Sequence, residues 1–152
     1  CVCTPGQIQR YMNKISGPLL DRIDIQCEIT PVPFKDISKA AQGEPSAEIR
    51  KRVIRAREIQ AARFSGQKGI HCNAQMSERM IHQYAEPDEA GISMLRMAME
   101  RLSLSARAYN RILKVARTIA DLEGCEHVES HHLAEAIGYR TLDRGDWAER
   151  GI

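Results

Sequence analysis

No apolar run in this chain approaches the roughly 20 residues that a membrane-spanning helix requires, so the sequence offers no span. No secretory leader is visible, and the chain opens at Cys1 without an initiator Met, which reads as a piece of a longer protein. No Gly-x-x-x-x-Gly-Lys-Ser/Thr run occurs, and no strand ends in the paired acids that would hold Mg²⁺. Gly66-Gln67-Lys68-Gly69 has the look of a phosphate loop without its spacing or its helix-opening Ser/Thr. The chain should therefore not hydrolyse ATP alone. Aromatic residues make up only 5% against 43% hydrophobic, so Ala, Ile, Leu and Met must fill the core, and they favour helices. Charge is nearly balanced at +2, which points to neither nucleic acid nor an acidic ligand. Five cysteines, scattered at 1, 3, 27, 72 and 125, give no disulfide framework and fit a reducing cytoplasm. Internal repeats and low-complexity segments are absent.

What is present is helical periodicity. Thr4-Pro5 is a helix start, and Ile8, Tyr11, Met12 and Ile15 recur at helical spacing, predicting a helix over 5–15. Ile23, Ile25, Cys27 and Ile29 alternate, predicting a strand from Arg22 to about Thr30 that Pro31 and Pro33 end. Residues 33–45 read as a linker. A helix over 46–64 with Ser46 as its cap carries a thin apolar stripe (Ile49, Val53, Ala56, Phe64) interrupted by Gln60. Its six basic side chains, Arg50, Lys51, Arg52, Arg55, Arg57 and Arg63, face only Glu44, Glu48 and Glu58, which makes it a candidate nucleic-acid contact. Helices over 77–85 and 87–102 follow.

Residues 105–122 show the cleanest pattern. Ala108, Tyr109, Ile112, Leu113, Val115, Ala116, Ile119, Ala120 and Leu122 fall on one arc; Arg107, Asn110, Arg111, Lys114, Arg117, Thr118 and Asp121 fall on the other. Ser105 caps the start and Gly124 the end. The plain reading of the polar arc is a solvated face. Ser130 caps a last helix through about Tyr139, and the tail to Ile152 is polar.

Two constellations carry chemistry. In Lys14-Ile15-Ser16-Gly17-Pro18-Leu19-Leu20-Asp21-Arg22-Ile23-Asp24, Arg22 sits at a sharp junction between two acids. Its planar, permanently charged fork suits phosphate stabilisation, and the plainer alternative is a structural ion pair with Asp24. The second is Arg107, in the first turn of the 105–122 helix, where the helix dipole also favours an anion. Cys1 and Cys3 form a Cys-x-Cys pair, half of a candidate zinc site. His131-His132 invites a metal reading, but adjacent helical positions diverge by about 100°. His71 and Cys72 lack an oriented third group for nucleophilic work.

The segment from Cys1-Val2-Cys3-Thr4-Pro5 through Ile29 resembles the magnesium-chelatase-like AAA+ ATPases of the ComM (YifB) type, in which a Lys-Ile-Ser-Gly-Pro-Leu-Leu-Asp-Arg-Ile-Asp run closes the ATPase domain. A second block, from Leu104-Ser105-Ala106-Arg107-Ala108-Tyr109 through Leu122, is similar to the same family's helical lid. The resemblance covers nearly the whole chain. It implies a mainly α fold, with residues 1–32 as the last helix and strand of an α/β ATPase domain and residues 46–152 as the helical AAA+ lid. It further implies ATP and Mg²⁺ in the full-length protein but none in this piece, and a zinc ion only where upstream cysteines join Cys1 and Cys3. Arg22 would be the arginine finger reaching a neighbour's γ-phosphate, Arg107 the sensor 2 arginine acting in cis, with Arg111 in reserve. The implied assembly is a hexameric ring, with DNA branch migration as its work and no membrane. The alternatives are a chaperone or metal-chelatase ATPase, or a non-catalytic helical module binding protein or nucleic acid through the basic 46–64 helix.

Overall fold

The computed structural model describes residues 2–27, 29, 31–34 and 43–140. Among them are seven α-helices: α1 (Pro5–Met12), α2 (Gly17–Leu20), α3 (Ser46–Arg63), α4 (Glu78–Tyr84), α5 (Glu89–Arg101), α6 (Ala106–Glu123) and α7 (Ser130–Gly138). A single 3₁₀ turn, Asn73–Gln75, lies between α3 and α4. The mainly helical class is as the sequence implies.

Local signals set most boundaries. Thr4 opens α1, its N–H bonded to Gln7 Oε1 at 2.8 Å. Ser105 Oγ accepts the N–H of Ala108 at 3.2 Å, and Gly124 ends α6 in the left-handed region at φ 79°. Other expectations need correction. Helix α1 stops at Met12 rather than Lys14-Ile15. Pro45, not Ser46, precedes α3, and Ser46 is its first residue. Glu129, not Ser130, caps α7, its N–H bonded to His132 Nδ1 at 2.9 Å.

The larger correction is the strand. No strand forms among the described residues: 23–27 are irregular, with a bend at Asp24, and join no ladder. A strand exists only through a partner, and no extended segment here pairs with it. Ile23, Ile25 and Ile29 are left exposed.

The core lies around α6, which packs against α3, α4, α7 and the 3₁₀ turn, while α5 closes on α7. Ile112, Leu113, Ala116 and Ala120 of α6 meet Ile81, Leu95 and Leu133. Phe64 and Tyr84 stack edge to face at 5.9 Å. Gly91 lets α5 approach α7: a Cβ there would meet Leu133 Cδ1 and Pro87 Cβ, each at 2.7 Å. The predicted tail, 141–152, and most of the predicted linker, 35–42, lie outside the described residues.

Candidate phosphate-facing site

The turn around Arg22 rests against one end of the helical unit, held by the residues on either side of that arginine. Asp21 Oδ2 accepts a hydrogen bond from Ser105 Oγ at 2.8 Å, and Asp21 Oδ1 lies 3.6 Å from Arg140 Nη2. Arg140, fully buried just past α7, also donates through Nη1 to the carbonyl of Ile23. Asp24 takes an ion pair from Arg111. The N–H of Gln26 donates to the carbonyl of Tyr139 at 3.0 Å. The N–H of Arg22 donates to the carbonyl of Leu19 at 3.0 Å, but its side chain is exposed and makes no hydrogen bond or ion pair among the described residues. The simple pairing of Arg22 with Asp24 does not form; Asp24 pairs with Arg111 instead.

Ser105 is also the cap of α6, so the turn is anchored to the head of the helix that carries Arg107 and Arg111. Arg107, Arg111 and Lys114 line a cavity of about 500 Å³, with Asp24, Val115 and Leu122 among its walls. Burial, together with the neighbouring charge of Arg111, holds the Lys114 ammonium below the usual lysine range. Its Nζ donates to the carbonyl of Ala74 at 2.9 Å. Arg107 is exposed and has no partner among the described residues. It also borders a second depression with Gly17, Pro18, Asp21 and Ser103. The arrangement brings three cations to one opening, two of them with protein partners and one without.

Two further members of the polar arc of α6 are not solvated. Arg117 and Asp121 are fully buried, as is Asn73 of the 3₁₀ turn. Arg63 grips Asp121 through both guanidinium nitrogens, with Nη1 to Oδ2 at 2.7 Å and Nη1 also reaching Asn73 Oδ1 at 2.9 Å. Asn73 Nδ2 donates to Asp121 Oδ2 at 2.8 Å, and Arg117 Nε to Asp121 Oδ1 at 3.1 Å. Arg117 also donates to the carbonyls of Cys125 and Glu126. Burial alone would raise the Asp121 pKa, but the hydrogen bonds from Arg63 and Asn73 and the charge of Arg117 outweigh it and lower it. Gln60, the break in the α3 stripe, is buried, and its Oε1 accepts the N–H of Asn73 at 3.2 Å. This network supports the site from behind and belongs to the scaffold.

The two histidines correct a second expectation. Their rings do not diverge: the centroids lie 3.9 Å apart, and both Nε2 atoms point at Glu123 Oε2, at 2.9 and 3.1 Å. His132 folds back to cap its own helix, which turns its ring toward the end of α6. Glu123, Cys125 and His132 bring ligand atoms within 4.8 Å of one another. His132 Nδ1, however, already accepts the Glu129 N–H, so the neutral ring carries its proton on Nε2 and has no lone pair there for a metal. The cluster is a hydrogen-bonded knot. Cys3 is exposed and joins no ligand cluster among the described residues, while Cys1 lies outside them.

Comparison with known proteins bears on both halves of the site. The family model described as magnesium chelatase, subunit ChlI C-terminal, matches residues 43–140, and that described as magnesium chelatase, subunit ChlI, matches residues 1–37. The chain belongs to the magnesium chelatase subunit ChlI family. Competence protein ComM of Haemophilus influenzae is 42% identical over 142 residues, and YifB of Salmonella typhimurium is 44% identical over 143. Each comparison covers 93% of this chain and 27% of the relative, so the chain spans about a quarter of their length. In this ChlI-family chain, Asp21, Arg22 and Asp24 fall in the first matched segment and Ser105, Arg111 and Arg140 in the second. The contacts around Arg22 thus join the two. No helix among the described residues is long and apolar enough to cross a membrane.

Proposed function

We propose that the full-length protein is a ring-forming AAA+ ATPase of the cytoplasm, and that this chain supplies two arginines to ATP sites lying between subunits. Arg22 acts in trans on the neighbour's γ-phosphate, and Arg107 acts in cis as the sensor 2 residue. The observation that carries this reading is the contrast around Arg22: its flanking acids are engaged by Ser105, Arg140 and Arg111, while Arg22 is exposed without a partner among the described residues. A cation held ready for a phosphate must be rigidly mounted and otherwise unpaired. The residues present fit a polyphosphate, since Arg107, Arg111 and Lys114 converge on one cavity. ATP with Mg²⁺ would supply the transferable phosphoryl group; the chain's own part is to hold positive charge near it. Similarity to ComM extends the proposal to a hexameric motor acting on DNA during branch migration. The exposed cations Arg50, Arg55 and Arg57 of α3 are its DNA contacts.

Arg22→Ala in the full-length protein tests the reading. ATP turnover should fall by about 10³-fold or more, the range of arginine fingers, with nucleotide affinity retained. Mixing with subunits defective in their phosphate loop should restore part of the activity, since each supplies what the other lacks. Unchanged turnover in Arg22→Ala would sink the assignment.

A further inference from the structure

We propose that Arg140 is a positioning residue for Arg22, and that with Asp21 and Asp24 it makes the finger-bearing turn and the head of α6 a single mechanical unit. The inference rests on the trans role of Arg22 given above. The Arg22 side chain has no hydrogen bond or ion pair among the described residues, so its direction is set by the backbone, where the N–H groups of Arg22 and Ile23 close the turn onto the Leu19 and Leu20 carbonyls. On the far side of Arg22 the Ile23 carbonyl is held from outside the turn by Arg140, whose side chain is only 1% exposed. A buried guanidinium has a geometry set by its surroundings, and its fork can address a carbonyl and a carboxylate together. Arg140 does so, reaching the Ile23 carbonyl with Nη1 and lying 3.6 Å from Asp21 with Nη2. Asp21 then passes the constraint to Ser105, the cap of α6, and Asp24 passes it to Arg111 one turn into the same helix. Arg107 lies between these two anchor points in sequence. A displacement of the α6 head therefore carries Arg22 with it, so the residue facing the subunit's own nucleotide and the residue offered to the neighbour move together.

The test uses the full-length protein with Arg140→Ala, Arg140→Lys and, as a variant on the half-exposed side of the latch, Asp24→Ala. Misplacing a catalytic group by about 1 Å costs on the order of 10²-fold. The kcat for ATP in Arg140→Ala should fall by about that factor, with nucleotide affinity unchanged. Arg140→Lys should recover part of the loss, because an ammonium can reach one of the two acceptors. Phosphate-loop-defective subunits, which carry an intact Arg22, should rescue both Arg140→Ala and Asp24→Ala in mixed rings. Such trans rescue would not follow from damage to the mutant subunit's own lid. If Arg140→Ala does not fold, Asp24→Ala carries the same comparison. Full turnover in the latch variants alongside an inactive Arg22→Ala would overturn this inference and leave the finger standing. A loss that mixing does not rescue would overturn it too, placing the defect in cis. An active Arg22→Ala would remove the finger and this inference with it.

Discussion

Asp24 engages Arg111, 87 residues further along the chain, and leaves Arg22, two positions before it, unpaired among the described residues. The pairing divides the arginines at the head of α6 into Arg111, which holds Asp24, and Arg107, which is exposed and without a side-chain partner among the described residues. That division yields an ordering of the two sensor 2 candidates.

Arg107→Ala should weaken ATP more than ADP, because a sensor 2 arginine meets the γ-phosphate. Loss of one charge-assisted hydrogen bond, about 1.5–3 kcal/mol, corresponds to about a 10- to 100-fold weaker Kd for ATP. Arg111→Ala should leave the ATP:ADP preference nearly intact and instead lower turnover, since it releases Asp24. Calorimetric titration of both nucleotides against both variants checks this. A larger affinity loss in Arg111→Ala would exchange the two roles.

Asp121 is the keystone of the buried network. Asp121→Ala leaves Arg117 and Arg63 facing each other without an anion, and breaking a buried pair in this way costs about 3–5 kcal/mol. Urea unfolding of the chain should register that loss, while Asp24→Ala, at a half-exposed pair, should cost no more than about 1 kcal/mol. The Asp121 carboxyl has its pKa lowered in the folded state, so its contribution is present above the ordinary, unfolded Asp value. It is lost as pH falls through that value toward the lower folded one. Acid unfolding in wild type that is absent from the pH profile of Asp121→Asn identifies the group. Equal acid sensitivity of the two would contradict the account.

The elements that were legible in the sequence are those whose signals are local. Ser105, Gly124 and the apolar arc of α6 needed only spacing and capping chemistry. Spacing alone puts Arg117 and Asp121 on a solvated face, because their burial depends on Arg63 and Asn73, which arrive from other elements. Gln60 broke a stripe on paper and completes it in three dimensions by accepting the Asn73 N–H. The alternation from Ile23 to Ile29 is real, but alternation cannot reveal whether a partner strand is at hand. Arg140 left no trace in the pattern at all. Its work is done on a carbonyl 117 residues away, and backbone acceptors carry no sequence signature. The resemblance singles out Arg22 and Arg107 as candidates, and the fold ties the Arg22 turn to the helix that carries Arg107 through Asp21 and Ser105.

The Glu123–histidine knot should appear in solution as a displaced titration. The hydrogen bond to Glu123 is the largest cause that raises the His131 pKa, with Glu129 and Glu135 adding in the same sense and desolvation opposing. The stabilisation this gives is fully present below the unfolded histidine value and lost as pH rises through the higher folded one. Because the group is exposed, the effect belongs to the ring rather than to global stability. An NMR titration of the imidazole nitrogens should place His131 above the ordinary histidine value. Glu123→Gln should bring His131 back toward the ordinary value. No movement of the His131 midpoint in that variant would show that the contact does not persist in solution.

The α3 helix separates two kinds of contact. Its only buried residues are Ala56 and Gln60, so the first half projects beyond the core with Ile49 and Val53 continuing the same stripe. Lys51 pairs with Glu48 at 2.7 Å and Arg52 with Glu44, which removes two of the cations from competition. Arg50, Arg55 and Arg57 remain without partners among the described residues. The candidates for DNA are thus these three, and reversal at Arg52 would test an internal pair instead. No aromatic residue lies between Ala40 and Arg63, so bases have nothing to stack on. Any DNA contact here would be with phosphates and carry no sequence preference. Neutralising one phosphate each, the three arginines would contribute about −2.7 to the slope of log affinity against log salt, at about −0.9 apiece on B-DNA. Arg50→Glu, Arg55→Glu and Arg57→Glu combined should remove that increment and weaken binding to all duplexes alike, with the ring intact by light scattering. Ile49→Ser with Val53→Ser should spare the salt slope. Dissociation of the ring by the charge reversals would assign these cations to the subunit interface, and the DNA contact would have to be sought elsewhere in the protein.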